Sequence, residues 1–254
     1  MIIKWYGTAS VGIINNNDKI VFDPFVPLKG SLVDINYSDF DEYDNILITH
    51  GHFDHIGSLK KLCKIRPRTI YCTKTPYKTL IKKGINKEYL KLISPNETIN
   101  IESFEISTYQ SKHIDFDDGA LKELFLSKRS YRYLHNVPYC AIENKRCLEN
   151  NEILLYNIKC DNENIIMMGS LGICDELDYP INSDLFIMPY QGKKDLLTPG
   201  RRVIEKLKPK RICLIHWDDT FPPVSKTVDT SDIVSYYSGN IEVIVPNYKK
   251  EIPV

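Results

Sequence analysis

Between Thr49 and Gly57 the chain places His50, His52, Asp54 and His55 within six consecutive positions, half of its six histidines together with a carboxylate. Neutral imidazoles and an ionised carboxylate on one loop suit a borderline divalent cation such as Zn²⁺, which takes nitrogen and oxygen ligands at about 2.0 to 2.2 Å. Gly51 stands between the first two histidines, where the lack of a Cβ lets the backbone turn tightly. A chance run of satisfied surface imidazoles is the competing account. The density of ligand types and their position after a strand weigh against it.

The element that must position this loop is the apolar run Asn45-Ile46-Leu47-Ile48, whose length and β-branching mark a buried strand. After the loop, Ile56, Leu59, Leu62 and Cys63 recur at helical spacing with Lys60, Lys61 and Lys64 between them, which predicts a helix to about residue 65. Upstream, strands are expected at 2–6, 11–14 and 19–23, the last closing on Asp23-Pro24. Pro24, Pro27 and Gly30 then mark an irregular excursion long enough to reach over an active-site mouth. Downstream, a strand at 69–72 and a helix at 75–83 alternate in an α/β manner, and strands at 99–101 and 104–109 lead to His113.

The second half repeats the first in outline, with strands at 139–144, 153–159, 165–168 and 184–188. A helix at 198–207, with Thr198 as N-cap and Pro199 at its first position, precedes a strand at 211–215 that runs directly into His216; a last strand covers 241–245. Residues 115–138 break this rhythm as a helical insertion with a basic, aromatic end. It reads either as a lid whose Arg129 and Arg132 meet an anionic substrate or as a peripheral packing helix.

Composition narrows the function classes. Lys+Arg and Asp+Glu balance at 33 each in 254 residues, so no overall field points to nucleic acid. The 43% hydrophobic content supports an ordinary core, while no apolar stretch approaches the roughly 18 to 20 residues that cross a bilayer. With no secretory signal at its start, the chain is expected to be cytoplasmic. Seven cysteines without a C-x-x-C pair read as reduced thiols. The absence of a linker predicts one domain over 1–254, carrying the insertion at 115–138.

His113 and His216 follow strands just as the first cluster does, so three loops distant in sequence can meet at one edge of packed sheets. At this point the chain resembles the metallo-β-lactamase superfamily, whose H-x-H-x-D-H motif is matched by His50, His52, Asp54 and His55, and the resemblance continues through His113, His216 and Asp23-Pro24. The opening Gly7-Thr8-Ala9-Ser10 and the short tail are similar to the stand-alone hydrolases of the ascorbate-6-phosphate lactonase and N-acyl-phosphatidylethanolamine phospholipase D branch. The resemblance implies an α+β fold, a four-layer αββα sandwich with metals at one edge. It implies that His50, His52 and His113 hold a first ion and that Asp54, His55 and His216 hold a second, Asp54 and His55 being the catalytic pair. Asp23 would fix ligand histidines through their other N–H groups. The ions would be Zn²⁺, one or two, with Mn²⁺ or Fe²⁺ as alternatives.

One departure stands out. In dinuclear members a carboxylate from a Gly-Asp step bridges the two ions, whereas Gly169 is followed here by Ser170. A neutral hydroxyl supplies no formal charge, so the second site is expected to be weakened. Cys174, Asp175 or Glu176 either fold back as a substitute ligand or lie on an ordinary turn. Tyr190, near Lys193 and Lys194, and the run Trp217-Asp218-Asp219 are expected at the pocket rim, Tyr190 as a substrate contact.

These readings converge on hydrolysis by a metal-bound hydroxide acting on a lactone, amide or phosphoester of a small molecule, each of which develops negative charge on oxygen. The rivals are a non-catalytic metal- or ligand-binding protein that has lost its bridging carboxylate, and a nucleic-acid phosphodiesterase, which the charge balance disfavours.

Overall fold

The computed structural model describes residues 1–114 and 128–254. Two seven-stranded mixed sheets face each other. The first runs in the order β14 (Glu251–Pro253), β1 (Ile2–Trp5), β2 (Val11–Asn15), β3 (Asp18–Phe22), β4 (Asn45–Leu47), β5 (Thr69–Cys72) and β6 (Leu90–Leu92). The second runs β13 (Glu242–Ile244), β12 (Arg211–Ile215), β11 (Leu185–Pro189), β10 (Glu163–Met168), β9 (Ile153–Cys160), β8 (Phe104–Ser111) and β7 (Thr98–Ile101). The C-terminal strand β14 pairs antiparallel with β1, Ile3 opposite Ile252.

Strand alternation builds three apolar layers from one chain. On β3, Ile20 and Phe22 enter the core between the sheets while Val21 faces the outer helices. On β10, Ile165 and Met167 point inward and Ile166 and Met168 outward. Both faces of these central strands are therefore buried, which is why β4 and β9 to β12 read as near-continuous apolar runs instead of alternating ones.

The outer face of the first sheet is covered by α1 (Phe53–Ile56), α2 (Leu59–Ile65) and α3 (Lys74–Lys82), through Ile56, Leu59, Leu62 and Leu80. Residues α4 (Lys128–Arg132) and α5 (Val137–Arg146) follow the undescribed segment. The outer face of the second sheet is covered by α6 (Leu197–Leu207) and α7 (Ser231–Tyr237), through Val203, Ile204, Leu207 and Ile233. The layers are helices, sheet, sheet, helices: an α+β sandwich of the αββα type, as expected from the sequence.

Several local expectations are corrected. Residues 139–144, read as a strand, form most of α5: Cys140, Glu143 and Cys147 are buried at intervals of three and four, the period of a helix lying on a surface. The helix expected from a Thr198 cap begins one residue earlier, at Leu197, and the Thr198 N–H is taken by Asp195 Oδ1 at 3.1 Å. The single helix expected after the histidine loop is two, α1 and α2, separated by Gly57 and Ser58. The strands β6 and β14 and the helix α7 had no expectation; each is short. Of the insertion read over 115–138, residues 115–127 lie outside the described residues, and the remainder is helical at α4 and the start of α5.

One close contact stiffens the first sheet. A Cβ built on Gly12 of β2 would lie 2.1 Å from the Tyr43 hydroxyl oxygen, and that ring is fully buried with its hydroxyl bonded to Tyr6 at 2.8 Å. The ring has nowhere to move, so Gly12→Ala is expected to destabilise the fold by roughly 1–3 kcal/mol. Urea unfolding checks this, and a midpoint equal to wild type would contradict it.

Candidate metal centre

The loop that begins where β4 ends is held by a carboxylate from the neighbouring strand. Asp23 directly follows β3 with a φ of 43°, and its amide N–H donates to Leu47 O on β4. This turn sends its fully buried carboxylate into the adjacent loop. Asp23 Oδ1 accepts the Thr49 amide N–H at 2.8 Å; Oδ2 accepts the Thr49 hydroxyl and the His55 Nδ1–H, the latter at 2.7 Å. From the opposite sheet, Leu154 N–H donates to Thr49 O at 2.9 Å. The loop is thereby pinned between the two sheets.

These bonds decide which nitrogen of each ring carries a lone pair. Because His55 donates from Nδ1, its Nε2 is the acceptor, and it lies 3.6 Å from Asp54 Oδ2. His50 Nδ1 lies 3.1 Å from the Thr49 oxygen, whose proton is committed to Asp23, so His50 donates there and its Nε2 carries the lone pair. That Nε2 is 3.2 Å from His52 Nδ1. His113, just beyond β8, donates Nδ1–H to Ile114 O at 2.7 Å and so keeps its lone pair on Nε2. His52 sits at the N-cap of α1, which carries Asp54 and His55 on its first turn.

His216 follows β12 with a φ of 62°, its N–H donating to Thr8 O at 2.9 Å. Thr8 is itself fixed by Asp218, whose carboxylate accepts the Thr8 N–H at 3.0 and 3.2 Å. His216 Nε2 reaches to 3.2 Å from Asp54 Oδ2. Two ligand groups result: His50, His52 and His113 in one, Asp54, His55 and His216 in the other, the donor atoms of each lying within 4.8 Å of one another. The rings of His50 and His55 are 3.8 Å apart between centroids, so the groups adjoin.

The donor set fits a divalent cation. His50 Nε2 and His52 Nδ1 lie 3.2 Å apart, and with His52 protonated on Nε2 both present lone pairs that a cation between them would take. Protonation is disfavoured: burial, reinforced by the neighbouring histidines, pushes His50 well below the ordinary imidazole range and His52 down to about 4, the latter despite the Asp54 charge. Burial also lowers His113. For Asp54, burial acts to raise the pKa, but His55 and His216 outweigh it and hold the carboxyl well below its usual range. Burial likewise opposes the charge on His55, yet Asp23 and Asp54 raise it overall. At neutral pH His50, His52 and His113 offer neutral nitrogens and Asp54 an ionised carboxylate, the protonation states that ligation requires, whereas a metal at His55 would have to displace any proton held on Nε2.

Ser170 is buried near the site, but its hydroxyl accepts the Ile114 N–H at 3.0 Å, beside His113. It holds the backbone of the His113 loop. Neither Cys174, Asp175 nor Glu176 joins either ligand group among the described residues. Cys174 is buried in the outer core, Asp175 pairs with Arg202, and Glu176 lies 3.7 Å from Lys112. Tyr190 is a correction: it is fully buried in the layer under α6, its hydroxyl donating to Asp232 at 2.8 Å, and no substrate can reach it. Arg132 is exposed with its guanidinium 5.7 Å from the Tyr133 ring, and the Arg129 side chain lies outside the described ones. Trp217 packs against Trp5 at 5.1 Å, and Asp218 is the Thr8 anchor.

Three contributors escaped the sequence reading. Thr49 couples His50 and His55 to Asp23, as described. A Cβ on Gly169 would lie 1.9 Å from Thr49 Oγ1, so only glycine lets the end of β10 meet the loop. Phe221 packs 5.4 Å from Phe53 and 6.2 Å from His216, forming with Phe25 an apolar wall on that side. The Gly-Thr pairing is invisible in sequence because its two halves are 120 positions apart.

Fold and ligand set define the class: a metal-dependent hydrolase built on an αββα sandwich. The model of the metallo-beta-lactamase superfamily matches residues 4–135, and the chain belongs to that superfamily. A metal-dependent hydrolase of Sulfurisphaera tokodaii is 25% identical over 240 residues, spanning 93% of this chain and 91% of that one. One of Sulfolobus acidocaldarius is 25% identical over 224 residues, 85% of each chain. Among solved structures, a metallo hydrolase from Ignicoccus hospitalis shares the fold with a TM-score of 0.64 at 14% identity, over 99% of this chain and 97% of that one. A possible metal-dependent hydrolase from Veillonella parvula does so with a TM-score of 0.64 at 13% identity, over 100% and 99%.

Asp23→Asn tests the anchoring carboxylate. The amide has one acceptor oxygen where the carboxylate has two, so its NH2 must face either the Thr49 N–H or the Thr49 hydroxyl and His55 Nδ1–H, and the hold on His55 weakens. Metal affinity measured by calorimetry is expected to fall about 10- to 100-fold. An unchanged affinity would show that His55 is oriented by something else.

Proposed function

We propose that the chain hydrolyses a small-molecule lactone, amide or phosphoester with Zn²⁺ as its cofactor. The observation that carries this reading is the pair of adjoining ligand groups, one of three imidazoles and one of two imidazoles with a carboxylate, at the mouth of the sandwich. Nitrogen-rich donors with a single carboxylate favour zinc over the harder ions that select oxygen ligands. His50, His52 and His113 would hold one ion, and Asp54, His55 and His216 the other. When bound, the metal polarises the scissile carbonyl or phosphoryl oxygen and acidifies the attacking water.

The chain's own groups do the rest. Asp54, ionised at neutral pH, would orient the attacking water or accept its proton. His55 is held against rotation by Asp23 and keeps Nε2 aimed at Asp54, so the pair retains its geometry as charge moves. The wall of Phe25, Phe53 and Phe221 excludes bulk water beside His216, which strengthens electrostatic interactions across the site. With balanced net charge the substrate is a small molecule in preference to a nucleic acid. No helix among the described residues is long and apolar enough to cross a membrane.

Generic esters, lactones and bis-p-nitrophenyl phosphate, offered with added Zn²⁺ or Mn²⁺, provide the assay. One of these classes is expected to turn over. Asp54→Ala is expected to reduce that rate at least about 100-fold, in the range of losing a positioned base. His52→Ala is expected to lose bound metal. Normal metal content together with normal turnover in both variants would contradict the assignment.

A further inference from the structure

Away from the metal ligands, a cleft of about 850 Å³ opens between α2, α3 and α5. Its lining is unlike the rest of a chain whose charges balance. Six of its residues are lysine or arginine and Glu143 is its one acid among the described residues. Glu143 is already engaged, by Lys83 and by Arg146 at 3.7 Å. The ammonium groups of Lys60, Lys78, Lys82 and Lys145 therefore remain in excess, and none of the four makes an ion pair among the described residues. Thr79 and Tyr139 add hydroxyl donors.

We propose that this cleft binds a multiply phosphorylated small molecule, its anionic groups seated between the lysines of α2, α3 and α5. Cations gathered from three helices around one concavity repel one another and are relieved by a compact polyanion. The volume falls within the range of small-molecule sites, and a concave site of this size suits a phosphate-bearing metabolite better than a duplex or a flat lipid surface. Lysine ammonium groups supply rotatable point charges, which suit several phosphates in a chain without requiring one fixed fork geometry. Gly57, where α1 ends two residues after His55, forms part of the wall: a Cβ there would lie 3.2 Å from the Tyr139 hydroxyl. The cleft thus abuts the helix that carries Asp54 and His55 without using any of the metal ligands, and the proposal stands independently of the reading of the metal centre.

The test is calorimetric titration of the purified protein with tripolyphosphate at low ionic strength, alongside Lys78→Ala/Lys82→Ala, Lys60→Ala/Lys145→Ala, His50→Ala and Lys250→Ala. All four cleft positions are exposed, and circular dichroism checks that the folds match. Both cleft variants are expected to weaken binding at least tenfold, while His50→Ala and Lys250→Ala stay within twofold of wild type. Loss in His50→Ala with retention in the cleft variants would overturn the proposal by placing the anion at the metal centre. Equal weakening in Lys250→Ala would overturn it in favour of unspecific charge attraction. A single-stranded oligonucleotide that binds more tightly than tripolyphosphate and is lost in the same cleft variants would replace it with a nucleic-acid surface.

Discussion

The site depends on one buried carboxylate. Asp23 is fully excluded from water, and a carboxylate in such a place is tolerated only when its lone pairs are filled. It accepts three donors, all from the next loop, and so converts the ends of two neighbouring strands into one rigid corner. Thr49 is the hub of that corner: its hydroxyl donates to Asp23, lies against both His50 Nδ1 and His55 Nδ1, and occupies the space that Gly169 leaves open on the other sheet. The tautomers of two ligand histidines and the closeness of the two sheets follow from the same few bonds.

On the far side, His216 is held in a left-handed conformation by a second buried carboxylate acting at a distance, Asp218 on Thr8 and Thr8 on the His216 amide. The opening Gly7-Thr8-Ala9-Ser10 thus belongs to the centre although it contributes no ligand. Ser170 plays a comparable part for His113, through the Ile114 amide. The two ligand groups consequently differ in composition, one of three imidazoles and one carrying the Asp54 charge, and among the described residues no carboxylate is shared between them. A bridging anion would offset the repulsion between two adjacent divalent ions and raise the affinity of both.

Much of this was legible in the chain. His50, His52, Asp54 and His55 announce themselves by density, and the strands that feed them are buried on both faces, which makes them continuous apolar runs with sharp ends. The four-layer architecture is implied by the superfamily resemblance those residues carry, and strands that must be covered on both faces agree with it. What could not be read is what depends on long-range approach. Residues 139–144 open on the apolar run Tyr139-Cys140-Ala141-Ile142, which passes for a short strand, and only the surface they lie on makes Cys140, Glu143 and Cys147 one face of a helix. Tyr190 follows a strand and neighbours lysines, as a rim residue does, but the next helix closes over it. The pairing of Gly169 with Thr49 has no local signature at all.

The most direct test of the account is the number of divalent ions per chain, determined by elemental analysis on protein purified without a metal-affinity step, before and after titration with Zn²⁺. One ion is expected to be retained through dialysis and a second to be taken up only on addition of metal, since two ligand groups are present and no carboxylate among the described residues joins them. Two ions retained with equal tenacity, or no uptake at all, would contradict it.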